Sequence, residues 1–205
     1  MGAGIVGRAQ RLTRVAVDAV DDAAHAALTL IGAGYARPLR PDRAARAALA
    51  LARWKMTPAA AAAANASLYP DRPAILDELG VVSFAQLEDR TNRLANAWAD
   101  AGLGSGDGIA IMCRNHRGFI EAAIACSKLG ANALLMNTSF ARPQLAEVAK
   151  REKPAALVYD EEFAELIADA GRRRKRFVAW VEEGETDDPV LEQLIAEGDP
   201  TPPLP

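Results

Sequence analysis

The segment MCRNHRGF, Met112 to Phe119, holds the side chains best equipped for chemistry: Arg114, Asn115, His116 and Arg117 follow directly on an apolar run. Histidine titrates near neutral pH, so His116 could serve as an acid or base, or contact an anion, with two arginines beside it. The plainer reading is that Asn115 caps the next helix and His116 decorates its first turn, since no carboxylate or nucleophile partner is recognisable. Asn137, Thr138 and Ser139, and separately Asp160, stand at equivalent positions after later apolar runs. They read as helix caps, with Asn137 to Ser139 also placed to line a pocket. Cys113 and Cys126, the only cysteines, are thirteen positions apart, with no CxxC pair and no histidine at zinc-ligand spacing, so neither a disulfide framework nor a metal site is expected.

Two other patterns invite chemistry and are read against it. GLGSGDG, Gly102 to Gly108, has the composition of a phosphate loop, but such a loop needs a strand entering and a helix leaving. Here a helix enters and a strand leaves, which makes the cluster a helix stop and a tight turn. RRRKR, Arg172 to Arg176, reads as a solvated loop balanced by the acidic segments on either side. There is no Ser-His-Asp order, HExxH or Walker loop.

Positioning these residues requires a scaffold, and its punctuation is legible. Ser83 and Gln86 have the spacing of a capping box, with Val82 and Leu87 placed as a hydrophobic staple. Leu87, Leu94, Ala97, Trp98 and Ala101 then form one helix face that stops at Gly102. Before it, Ala74 to Asp77 and Val81 to Val82 read as a hairpin turning at Glu78 to Gly80. After it come four apolar runs starting at Ile109, Ala133, Ala156 and Phe177, spaced 24, 23 and 21 residues apart. Each gap holds one expected helix: Phe119 to Leu129, Pro143 to Glu152, and Glu161 to Ala170. Short unalternating strands joined by helices imply a parallel sheet covered on both faces.

The fold class is therefore α/β: a helical N-terminal segment followed by a layered subdomain with a mainly parallel sheet. Residues 1–68 read as a helical extension, 69–181 as the α/β subdomain, and 182–205 as an acidic, then Pro-rich linker. Half of the 205 residues are apolar and the net charge is −3, which argues against nucleic acid as a partner. Within the extension, Arg37, Arg40, Arg43, Arg46, Arg53 and Lys55 alternate with Leu39, Leu49, Leu51 and Trp54. Residues 37–55 thus read as a basic amphipathic helix, either packed on the body or in peripheral contact with anionic lipid. No run is long and apolar enough to span a bilayer, and a reducing cytoplasm suits the cysteine usage.

Residues 66–181 resemble the start of the adenylate-forming superfamily, specifically the fatty acyl-CoA synthetases. The resemblance rests on YPDRPA at Tyr69 to Ala74, Ser83-Phe84 opening a helix, the Gly-rich turn into DGIAIM, and FIEAAIACSKLGANALLMN with Lys128-Leu129-Gly130-Ala131. It implies, for longer relatives, activation of a carboxylate by ATP to an acyl-adenylate, then transfer to coenzyme A, with magnesium. In that pattern the phosphate loop with its Pro-Lys-Gly, the ribose-binding Asp and the C-terminal domain with its catalytic Lys all follow the matched stretch. The resemblance thus carries no catalytic, cofactor-binding or metal residue onto this chain, which is expected to be a truncated N-terminal subdomain, inactive alone. Other readings are a membrane- or partner-docking module, one chain of a split synthetase, or a flavodoxin-like binding domain. An isolated subdomain should also expose apolar surface and self-associate.

Overall fold

A computed structural model describes residues 40–170, 174–182 and 186–203. Residues 1–39 lie outside the described residues, as do Arg172 and Arg173 of the cationic run. The chain runs α1 (Pro41–Trp54), α2 (Pro58–Leu68), β1 (Pro73–Asp77), β2 (Gly80–Ser83), α3 (Phe84–Asp100), β3 (Gly108–Met112), α4 (Arg117–Leu129) and β4 (Asn132–Leu135). It continues with α5 (Arg142–Glu152), β5 (Ala156–Asp160), a 3-10 turn (Glu161–Phe163), α6 (Ala164–Ile167), β6 (Lys175–Trp180) and α7 (Leu191–Glu197). Among the described residues, no helix is long and apolar enough to cross a membrane.

The expected parallel sheet is present, with strand order β4-β3-β5-β6 and every neighbouring pair parallel. Its central strands are buried on both faces. Ile109, Ile111, Val158 and Phe177 pack toward Leu94 and Trp98 of α3, Ala122 of α4, and Leu191 and Ile195 of α7. The alternate residues Ala110, Met112, Leu157, Tyr159 and Val178 face Leu145 of α5 and Ile167 of α6. This period-two division of one strand between two helical layers is what an unalternating apolar run encodes.

The punctuation acts as its chemistry requires. Ser83 Oγ accepts from the Gln86 amide and Gln86 Oε1 from the Ser83 amide, closing the capping box at 3.2 and 2.8 Å. Val82 and Leu87 meet in one buried cluster with Ile124. Gly130 ends α4 at φ 68, a left-handed cap that other residues enter at a cost.

Two boundaries differ from expectation. The helix read over Glu161 to Ala170 is a 3-10 turn followed by one short α segment, Ala164–Ile167. Residues 182–205 are not all linker: α7 buries Leu191 and Ile195 against α3, because its apolar residues four apart share one face. The Pro-rich stretch beyond it is strapped onto α3. Arg93 donates to Gly198 O, Asn92 to Pro200 O, and Asn96 to the carbonyls of Asp199 and Thr201. A Cβ at Gly198 would lie 2.5 Å from Arg93 O, so only glycine permits this approach.

The β1–β2 hairpin is tied to the sheet layer by Asp77, whose carboxylate accepts from the Arg117 amide at 3.0 Å and from its guanidinium at 2.5 to 3.2 Å. Hydrogen bonding from Arg117 lowers the Asp77 pKa from 3.8 to about 2, against the opposing effect of burial. A depressed folded-state pKa contributes stability above the unfolded value that is lost as pH falls through the folded one. The stability gap between the parent chain and Arg117→Met should therefore be constant above about pH 5 and close between about pH 4 and pH 2. Urea midpoints across that range test this; a gap that stays constant to pH 2 would refute it.

Candidate functional site at the end of the sheet

β3 is followed by a helix on one face of the sheet and its neighbour β5 by a helix on the other, so the loops after them part at a topological switch point. Crevices at such points are where open α/β sheets bind ligands. His116 lies there, and the partner it lacked in the sequence is Asp160, at the end of β5. His116 Nε2 is 2.9 Å from Asp160 Oδ1, with both residues buried. Asp160 Oδ2 accepts from the Arg114 amide at 2.7 Å.

The histidine itself, not Asn115, caps α4: Nδ1 accepts from the Gly118 amide at 3.1 Å. The imidazole reaches back over the first turn because Asp160 holds its far side. An amide can donate only to an unprotonated ring nitrogen, so the proton of the neutral ring is on Nε2 and is donated to Asp160. Trp180, at the end of β6, stacks on the same ring with centroids 4.8 Å apart. Outside this pair, Arg114 forks onto Glu162 and so bridges the loops after β3 and β5.

Cys113 completes a group of thiol, imidazole and carboxylate whose donor atoms lie within 4.8 Å of one another. These atoms could hold a metal by type, but their protons and partners oppose it. Both ring nitrogens and both oxygens of Asp160 are already engaged. Burial first, and then the charge of Asp160, push the Cys113 thiol well above its usual pKa. That is the reverse of the depressed pKa of a nucleophilic thiol. Burial likewise pushes Cys126 up to about 12. Arg114 and Arg117 are each paired with a carboxylate, Glu162 and Asp77. The arrangement is a clamp that fixes the geometry of the loops after β3 and β5.

The remaining sequence candidates are dispersed. Asp160 does not cap the 3-10 turn through its side chain. Asn137 forms a turn in the loop after β4, accepting from the Ser139 amide, whereas the N-cap position of α5 is Ala141. Gly102 and Gly106 have positive φ in the turn into β3, as the helix-stop reading requires. Arg176 is no solvated loop residue: it pairs with Asp188 at 2.6 Å, and Tyr159 donates to the same carboxylate.

Sequence reading also missed a second buried cluster. Lys128 is fully buried, with Nζ 2.9 Å from a Glu88 carboxylate oxygen and donating to Asn92 Oδ1 and Glu88 O. Burial pushes its pKa down, against the pull of Glu88. Lys128 sits in the matched KLGA stretch, and that position was the one signal available. On α1, Arg43 donates to Leu68 O and Arg53 to Pro203 O, binding this helix to the body.

Comparison with known proteins places this geometry. The family described as AMP-binding enzyme matches residues 62–203. The chain is similar to a medium/long-chain-fatty-acid–CoA/3-oxocholest-4-en-26-oate–CoA ligase of Mycobacterium marinum, 31% identical over 100 residues, covering 49% of this chain and 18% of that protein. It is also similar to the 3-oxocholest-4-en-26-oate–CoA ligase of Rhodococcus rhodochrous, 30% identical over 102 residues, covering 50% and 18%. The chain thus spans about a fifth of the length of these relatives. Among solved structures, the acyl-CoA synthetase of Brucella canis superposes with a TM-score of 0.63 at 16% identity, covering 75% of this chain and 31% of that one, and so shares its fold. With more than half of its length matched by the family, through the same sheet that carries the clamp, the chain belongs to the AMP-binding enzyme family.

Proposed function

We propose that this chain forms the N-terminal α/β subdomain of an ATP-dependent fatty acyl-CoA synthetase and does not by itself activate a carboxylate. The observation that carries this reading is the state of the switch point: every polar side-chain atom of His116 and Asp160 is committed to holding loops. Stabilising a transferring phosphoryl group requires preorganised amide donors and cations aimed at it, usually with magnesium. Here Arg114 and Arg117 are aimed at Glu162 and Asp77 instead. The resemblance places the phosphate loop, the ribose-binding Asp and the catalytic Lys downstream of the matched stretch, and this reading gives the chain the part of a platform for them.

An ATP–pyrophosphate exchange assay with magnesium and a medium- or long-chain fatty acid tests this. The chain alone should show exchange at the no-enzyme background. Acid-dependent exchange above that background, abolished by heat denaturation, would overturn the proposal.

A further inference from the structure

We propose that the cleft between α1, α2, α3 and the C-terminal strap binds a single-chain amphipathic anion, a molecule with an apolar tail and a carboxylate or phosphate head. The cleft has a volume of ≈ 580 Å³, within the range of small-molecule sites. Its floor is apolar, built from Trp54, Ala63, Ala66 and Pro200. Its α1 wall presents three guanidinium groups, from Arg43, Arg46 and Arg53.

The charges on the two walls are not equivalent. On the α3 wall each carboxylate already has a cation: Glu88 pairs with Lys128 at 2.9 Å and Asp89 with Arg93 at 2.8 Å. On the α1 wall, Arg43 and Arg53 hydrogen-bond only to main-chain carbonyls, at Leu68 and at Pro202 and Pro203. Among the described residues neither is paired with a carboxylate, while Arg46 shares Asp42 in an exposed pair one turn along the helix. Arg43 and Arg46 are three residues apart and so neighbours on the helix surface, spaced to fork onto one anionic head. Arg43 is half-buried at the cleft, so an anion there meets it at lower dielectric, where the attraction is larger, while Arg46 and Arg53 stand exposed at the rim. The tail would lie along Ala63 and Ala66 toward Trp54 and Pro200, placing the ligand against the strap. The match of an apolar floor with a cationic rim selects against neutral lipids and against small hydrophilic anions.

Titration calorimetry of the full chain with dodecanoate, below its micelle concentration and without ATP or coenzyme A, tests the site independently of any ligase activity. Saturable binding of one equivalent is expected, at least tenfold tighter than that of dodecanol and of octanoate, the first lacking the charge and the second four buried methylenes. Dodecyl phosphate binding as tightly as dodecanoate would mean that the head is read as a general anion; weaker binding would mean that carboxylate is selected. Both agree with the proposal. The variant R43A/R46A should lose at least tenfold in affinity, and Ala66→Trp, which fills the floor without touching a charge, should abolish binding in a chain whose melting confirms that it is folded. Equal affinity for dodecanol and dodecanoate, binding unchanged by Ala66→Trp, or no saturable binding of either anion would overturn it.

Discussion

Replacing Arg90 by methionine is expected to cost about 3–5 kcal/mol of folding free energy, the range for removing one partner of a buried ion pair. Arg90 sits at the junction of three helices. From α3 its Nε and Nη2 reach the two oxygens of Glu121 on α4, at 2.5 and 3.1 Å, while Nη1 and Nη2 reach Glu192 on α7. Glu121 is only 1% exposed, so without the guanidinium its charge has no water and no hydrogen-bonded counter-ion, only the more distant charge of Arg117. Domains of this kind are stable by roughly 5–15 kcal/mol, so the variant should be marginal. The cost comes from stranding Glu121, not from the value of the pair itself. The double variant Arg90→Met/Glu121→Leu should therefore recover most of the loss, because well-packed apolar replacements of buried ion pairs are often neutral or stabilising. Urea unfolding measures both. A single variant within about 0.5 kcal/mol of the parent, the range of ordinary surface substitutions, would refute the argument.

Asp160→Ala is the second change with a large expected effect, on the order of 2–4 kcal/mol, since the buried donor His116 Nε2 would lose its acceptor at about 1–3 kcal/mol and the part-buried Arg114 amide would lose its own at about 1 kcal/mol. The loss should also be visible locally. The Arg114 amide, protected in the parent by its 2.7 Å bond to Asp160 Oδ2, should exchange with solvent far faster in the variant. Trp180 should report a changed environment as the imbalanced ring leaves its stack. Asp160→Asn keeps one acceptor oxygen and should fall between the two. If the Arg114 amide remains protected in Asp160→Ala, the clamp is not what orders the loop after β3.

These two sites separate what could be read along the chain from what could not. The turn after α3, the box at Ser83 and Gln86 and the stop at Gly130 each involve residues within about five positions of one another. The four strands are legible as apolar runs, although β4, at the sheet edge, is mostly exposed. The sequence marks His116 as a candidate and Asp160 as a strand end, but nothing in it joins the two. The two lie 44 residues apart, and they meet because β3 and β5 are neighbours in the sheet. Nothing in the spacing of the strands states that β5 crosses to the far side of β3 from β4. The helix after β5 is shorter than its sequence pattern suggests for a related reason: its apolar residues suit a longer helix, but the local path to β6 leaves only Ala164–Ile167 in α conformation.

The C-terminal segment shows the same division. Its prolines rule out helix and strand, and composition alone then leaves only a linker. Extended backbone without internal partners offers its carbonyls to anything nearby, and α3 supplies Asn92, Arg93 and Asn96 as donors on one flank. The sequence by itself determined both ends of α3, the Gly130 stop of α4 and the strand pattern, because these rest on hydrogen bonds and hydrophobic periodicities closed within a few residues, and the run of such local motifs carried the family. The tertiary structure alone decided that His116 has Asp160, that Lys128 has Glu88 and Asn92, and that the strap is docked. Each of those contacts spans 36 residues or more, and their existence depends on the order and handedness of the crossovers that pack the helices on the sheet.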